Sequence, residues 1–327
     1  MSFTLHPDLR VKAAIRFHSN VDVVAFWRMN EEQQRIVLTG LGLLDLVGLA
    51  LFLPEGYRLA TDVIAQSWSV ELAGITNNVD DFLNAMRSTG TCLSGGKCLS
   101  MLDRHSDWQT SDWDFYCPRE GFDAFCLFIL DKLHGVTVEH RVGSLEGYGD
   151  ITVACESRRI TTPHAVFDII CSASSSALLP LTYFHSTLVM NFITADFLCI
   201  AYPWGLDARH GVIQTYASTT KSNAAIEKYR GRGYVMYSSW KDLYVPVDGN
   251  CTPHRHCPRA VRHFGDDDCL TIRFHVPGYM KDNTPRQEDL TGMKWSVAWV
   301  WGGHECSNAD CVLRVSHFAH TILVKST

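Results

Sequence analysis

The sequence reads as an α+β protein, and three observations carry that reading. Segments with apolar residues at helical spacing alternate with short apolar or alternating runs bounded by glycine and polar turns. The composition, 46% hydrophobic and 20% charged over 327 residues, is that of a globular chain long enough for one large domain or two ordinary ones. One strand-like run, Ser111-Asp112-Trp113-Asp114-Phe115-Tyr116-Cys117-Pro118, carries two aspartates at i and i+2. Their carboxylates leave one face about 7 Å apart.

Whole-chain properties narrow the function. A net charge of −6 and a pI near 6.2 argue against binding a long nucleic acid by bulk electrostatics, although they leave room for a local basic groove. Met1 to Val11 holds His6, Asp8 and Arg10 and does not read as a signal peptide, so the expected location is intracellular, cytoplasmic or nuclear. The twelve cysteines are spread along the chain, many in apolar runs such as those around Cys126, Cys171 and Cys199, and read mostly as reduced core residues. Ile36 to Leu53 is almost continuously apolar, but Asp45 and three glycines interrupt it at the lower limit of spanning length. A buried helix or helix pair, with no membrane partner, is the expectation.

Residues 1–75 form the expected helical N-terminal segment, with Asn30-Glu31-Glu32-Gln33 as a helix start. In 76–205, the expected core, Val79, Phe82, Leu83 and Met86 mark a helix that follows Asn78 and stops near Gly90. A short strand Thr91-Cys92-Leu93 then meets the turn Ser94-Gly95-Gly96, a helix through Leu99, Met101 and Leu102, and the aspartate strand. Phe122 to Leu133 predicts a helix closed by Gly135, and strands follow at Thr137–Arg141, Ile151–Glu156 and Ala165–Ser172. Asp168 interrupts the last apolar strand, where an unpaired buried carboxylate costs several kcal/mol, so it requires a compensating group. A helix is expected from Pro180 to Ile193. Residues 206–327 predict a helical and β C-terminal region with a Cys/His-rich loop.

Two like-charged groups on one face ionise together favourably only with a cation or donor between them, and magnesium suits hard oxygen ligands. The order of glycine turn, Asp112 and Asp114 on the next strand, and Asp168 on a later one resembles the nucleotidyltransferase fold of polymerase-beta-like enzymes. A closer resemblance, over Asn78 to Gly233, is to a large group of uncharacterised proteins from mushroom-forming fungi. It rests on Leu93-Ser94-Gly95, Asp112-Trp113-Asp114-Phe115-Tyr116, Phe167-Asp168-Ile169-Ile170 and Phe184-His185-Ser186-Thr187. The resemblance implies a nucleotidyltransferase-like mixed sheet flanked by helices. It also implies two magnesium ions on Asp112, Asp114 and Asp168, and a nucleoside triphosphate received by Ser94, Gly95 and Gly96. Lys228 is the implied triphosphate contact, and the acceptor hydroxyl is left open. The alternative is an inactive fold that binds a nucleotide or a protein. Two departures stand out: a long interval between Gly96 and Asp112, and Ser111 where an apolar residue is expected.

Other groups admit two readings each. Lys228 either meets a phosphate or closes a helix end favourably. His185 reads as a packed histidine, and the hydroxyls of Ser186 and Thr187 as caps or loop anchors. Cys251, His254, His256, Cys257 and Cys269, with His263 nearby, either bind zinc or form a polar loop, since their spacing fits no standard finger. His304, Cys306 and Cys311 join them only if the fold brings them near. The tryptophans of Trp295 to Trp301 either stack bases or pack a core.

Overall fold

The computed structural model describes residues 23–43, 45–46, 54–104, 106–143, 153–214, 220–238, 261–266, 268–274, 297–300 and 321–323. Among the described residues, helices α1 (Val23–Arg28), α2 (Glu31–Thr39) and α3 (Pro54–Ala73) come first. The helix start at Asn30 is present: Asn30 Oδ1 accepts from the Gln33 amide, and Gln33 Oε1 accepts from the Asn30 amide. Each side chain thereby satisfies an amide left open at the helix end. Leu44 and residues 47–53 of the apolar run lie outside the described residues. Among the described residues no helix is long and apolar enough to cross a membrane.

Helix α4 (Val79–Thr89) begins at the Asn78 cap and ends at Gly90, whose φ of 67° is the left-handed geometry glycine adopts freely. Then follow β1 (Cys92–Ser94), α5 (Gly95–Leu102), β2 (Asp112–Cys117), α6 (Phe122–Lys132), β3 (Val136–Val142), β4 (Ala154–Thr161) and β5 (Val166–Ser172). All but one were placed closely by the sequence. The exception, β4, runs past the predicted end at Glu156 because its Arg158 and Arg159 leave opposite faces of a strand paired on both sides.

The expected helix from Pro180 to Ile193 is not there. Two 3-10 turns, Pro180–Tyr183 and Thr187–Val189, lead instead into strand β6 (Asn191–Ile193) and its hairpin partner β7 (Phe197–Ile200). Every residue of those turns and of β6 is buried, so the run shows no polar face from which a helical period can be recognised. Pairing decided it: Ile193 lies opposite Leu93, and Asn191 opposite Ile200.

The remaining described elements are α7 (Pro203–Asp207), β8 (His210–Val212), α8 (Thr220–Gly231), β9 (Val235–Tyr237), β10 (Val261–His263), β11 (Leu270–Arg273), β12 (Val297–Val300) and β13 (Thr321–Leu323). Among the described residues the main sheet is eight-stranded and mixed, in the order β11-β7-β6-β1-β2-β5-β4-β3. Only β2 and β5 are parallel neighbours within it. Because β11 pairs with β7, the sheet crosses the expected domain boundary at residue 205.

Helices α3, α4 and α6 cover one sheet face. Trp113, expected opposite the aspartates, is 3% exposed and stacks on Phe115 at 6.1 Å. Around Phe115 gather Phe82 at 5.7 Å, Phe125 at 5.2 Å and Phe167 at 6.0 Å, while Trp68 covers Trp113. Removing the central ring leaves a cavity that rigid sheet neighbours cannot fill. Phe115→Ala is therefore expected to cost about 3–5 kcal/mol in urea unfolding.

Candidate active site

The opposite face carries a polar row set by strand register. Ser94 of β1 lies opposite Asp114 of β2, Asp114 opposite Asp168 of β5, Asp168 opposite Arg159 of β4, and Arg159 opposite Glu139 of β3. Paired residues in adjacent strands project to the same side, so these side chains share a face, and Asp112 joins them two residues before Asp114. The sheet therefore brings together the three aspartates singled out in the sequence.

Arg159 is the compensating group that Asp168 requires. Its Nη1 donates to Asp168 Oδ2 at 3.0 Å and Oδ1 at 3.3 Å, while Nη2 donates to Asp112 Oδ1 at 3.2 Å. One guanidinium spans both carboxylates. The side chains of Arg159, Asp112 and Asp168 retain 39%, 48% and 28% of their exposure, so each pair contributes only about 0.2–1 kcal/mol. Burial pushes the Asp168 carboxyl upward, Arg159 pulls it back, and Asp112 and Glu139 push it up again. Among the described residues no group of three or more His, Cys, Asp or Glu side chains is placed to hold a metal ion, and Arg159 occupies three of the oxygens that such an ion would take.

Asp114 is different. No cationic side chain bonds its carboxyl among the described residues, and its pKa rises to about 7. Desolvation is the largest cause, followed by repulsion from Asp168; Lys228 opposes both, and the Gly96 amide helps to hold the anion. The donor chemistry of the three carboxylates, hard oxygens, is the kind a divalent cation such as magnesium takes, while their present placement is set by Arg159. The glycine turn is built around this group. Gly95 has φ +66°, and a Cβ there would collide with Asp114 Oδ2. Ser94 is fully buried and its hydroxyl donates to the Asn191 carbonyl, so Ser94 offers a ligand only its backbone.

Helix α8 brings basic groups to the same face. Lys221 acts on Asp168, and Lys228, seven residues on and so on the same side of the helix, acts on Asp114 and Asp112. Lys228 is drawn below its usual pKa by desolvation and by Arg232, and the two aspartates raise it. It sits in the last turn of α8 as well, so the helix-end role and the facing of the acids coexist. Arg232 lies 3.9 Å over the Trp108 ring, and its Nη1 is buried without a partner among the described residues. His185 stacks on Tyr229 at 5.6 Å and is lowered to about 4 by burial and then by Lys228, so it is a packed neutral ring at neutral pH. The Val212 amide donates to Thr187 Oγ1, which anchors β8 rather than starting a helix.

The sequence reading missed Arg159, Glu139 and Arg232. The signal for Arg159 was present in the demand of Asp168 for a partner. The strand expected at Ile151–Glu156 stops short of Arg159, whereas β4 runs on to Thr161.

Of the candidate zinc ligands, Cys251, His254, His256 and Cys257 lie outside the described residues, as do His304, Cys306 and Cys311. Cys269 is buried beside Arg262, and its thiol donates to the His263 carbonyl. Trp299 is 1% exposed and donates from Nε1 to Tyr202 Oη at 2.8 Å, so it packs a core; Trp295 and Trp301 lie outside the described residues. Comparison of this chain with protein families, curated proteins and solved structures finds no match.

Two outcomes follow from this geometry. Gly95→Ala is expected to destabilise the fold by more than the roughly 1–2 kcal/mol of left-handed strain, because Asp114 must also move; urea unfolding reads the loss. Asp114 holds its proton to about pH 7 when folded and to about 4 when unfolded, so metal-free stability is full at low pH and falls as pH rises through 7. Asp114→Asn cannot lose a proton. In EDTA it should gain on the order of 2 kcal/mol over wild type at pH 8, with the gain vanishing near pH 4. Equal gains at both pH values would assign the effect to packing.

Proposed function

We propose that this chain is a magnesium-dependent nucleotidyltransferase, which moves a nucleoside monophosphate from a nucleoside triphosphate onto a hydroxyl acceptor and releases pyrophosphate. The observation that carries this reading is the position of Asp112, Asp114 and Asp168 on one face of neighbouring parallel strands, beside the start of α5. In this reading the main sheet is nucleotidyltransferase-like, and the glycine turn is its phosphate-binding element.

Asp112, Asp114 and Asp168 are the residues that would hold magnesium. Bound there, the metal supplies positive charge to the triphosphate and to the attacking hydroxyl. The chain does the rest. The first turn of α5, where the Gly96 amide now holds Asp114, would receive phosphate oxygens, favoured by the helix dipole. Lys228 adds a cation on the same side, and the register of β2 with β5 orients the carboxylates before any ligand arrives. No residue of the row selects the acceptor, and the net charge of −6 weighs against a long nucleic acid.

A second reading, triphosphate or partner binding without turnover, is favoured by one observation. Arg159 already neutralises part of the carboxylate charge. Titration of purified protein with ATP and GTP, with and without magnesium, and a pyrophosphate-release assay across hydroxyl acceptors separate the two. The enzyme reading expects metal-dependent binding and turnover, with Asp112→Ala or Asp114→Ala losing about a thousandfold or more in rate. Binding without release favours the second reading, and the absence of both rejects the two together.

A further inference from the structure

We propose that Arg159 is the resident cation of the carboxylate row, and that a divalent ion enters by displacing its guanidinium from Asp112 and Asp168 onto Glu139. The inference rests on the metal reading above and concerns what the chain does before and during metal entry.

Arg159 spends its fork on the oxygens that an ion needs. Both oxygens of Asp168 and one of Asp112 accept from it, which leaves Asp114 as the carboxylate without a bonded cation. A guanidinium and a metal cannot both take those oxygens at bonding distance, so they compete. The competition is reversible in kind, because the side chains of all three partners remain partly exposed and water can take over each contact.

A displaced arginine also needs somewhere to go, and the register provides it. Glu139 is the cross-strand partner of Arg159 on its other side, so Asp168 and Glu139 flank it on the same face. Glu139 now accepts from Arg141 Nε at 2.7 Å on its own strand, in an exposed pair that leaves carboxylate capacity for a second donor. Movement of Arg159 from one flank to the other keeps it paired and alters no backbone hydrogen bond. The carboxylates released behind it face Asp114. Arg159 is thus a positioning residue: it keeps the acids together without metal and sets how tightly metal binds.

Calorimetric titration of full-length protein with Mg2+ and Mn2+ tests this independently of turnover. Arg159→Gln should bind either ion about 3- to 10-fold more tightly than wild type. Glu139→Gln should bind it more weakly, and the Glu139 effect should disappear in the double variant, since no arginine remains to be received. Arg159→Lys keeps a charge but loses the fork, and it should lie between wild type and Arg159→Gln; it carries the test if Arg159→Gln does not fold. Metal binding by wild type with unchanged or weaker binding by the Arg159 variants would overturn the displacement and leave the metal reading standing. Absence of metal binding in every variant would overturn both.

Discussion

Everything at the polar face depends on the parallel pairing of β2 with β5. That register sets Asp168 beside Asp114 and, through β4 on the far side of β5, sets Arg159 beside Asp168. Parallel neighbours need a long connection between them. Here it contains α6 and the β3–β4 hairpin, so the connection itself delivers the arginine. A slip of one residue in β5 would turn Asp168 into the aromatic core and Phe167 out of it. The register is consequently fixed by burial on one face and exploited by charge on the other.

Two aspartates held in register repel. At about 5 Å and an effective dielectric near 20, the interaction amounts to about 3 kcal/mol when both are ionised. The reverse face outweighs it. Trp113, Phe115 and Phe167 are buried against Trp68, Phe82 and Phe125, and each such ring contributes about 1.5–3 kcal/mol by burial alone. The like charges are imposed by hydrophobic packing, and the protein relieves them by holding a proton on Asp114 and by bringing Arg159 to Asp168. The same strands that create the electrostatic problem therefore hold its solution.

Much of this was legible in the sequence where local chemistry decides structure. Asn78, Gly90 and the Ser94-Gly95-Gly96 turn punctuate α4, β1 and α5, because capping amides and positive φ angles are properties of single residues. The alternation of Asp112, Trp113, Asp114 and Phe115 announced a strand with one wet and one dry face. Legibility failed where the partner decides. Apart from His185, residues 180–193 are buried, and only pairing with β1 and β7 distinguishes strand from helix. Arg159 carries no local mark of its role, since which carboxylate an arginine meets depends on the register of a distant strand. Lys228 was found through resemblance, and its proximity to Asp114 depends on the docking of α8.

The distribution of charge along the row says more than its total. A row built only for stability would alternate signs, each carboxylate flanked by a cation, as Arg159 is flanked by Asp168 and Glu139. At the other end the pattern breaks: Asp114 has Asp168 on one side and the neutral Ser94 on the other. Beyond Ser94 begins α5, whose Gly96 amide already bonds the Asp114 carboxyl, and α8 adds Lys221 and Lys228. Asp114, the one acid of the three without a bonded cation among the described residues, thus sits beside groups that themselves attract negative charge. A lone cation at the acids would leave Lys221 and Lys228 without their present partners, and a lone anion at the lysines would do the same to the acids. On the reading proposed above, a cation already carrying an anion, such as a metal-bound phosphate, would satisfy both halves together.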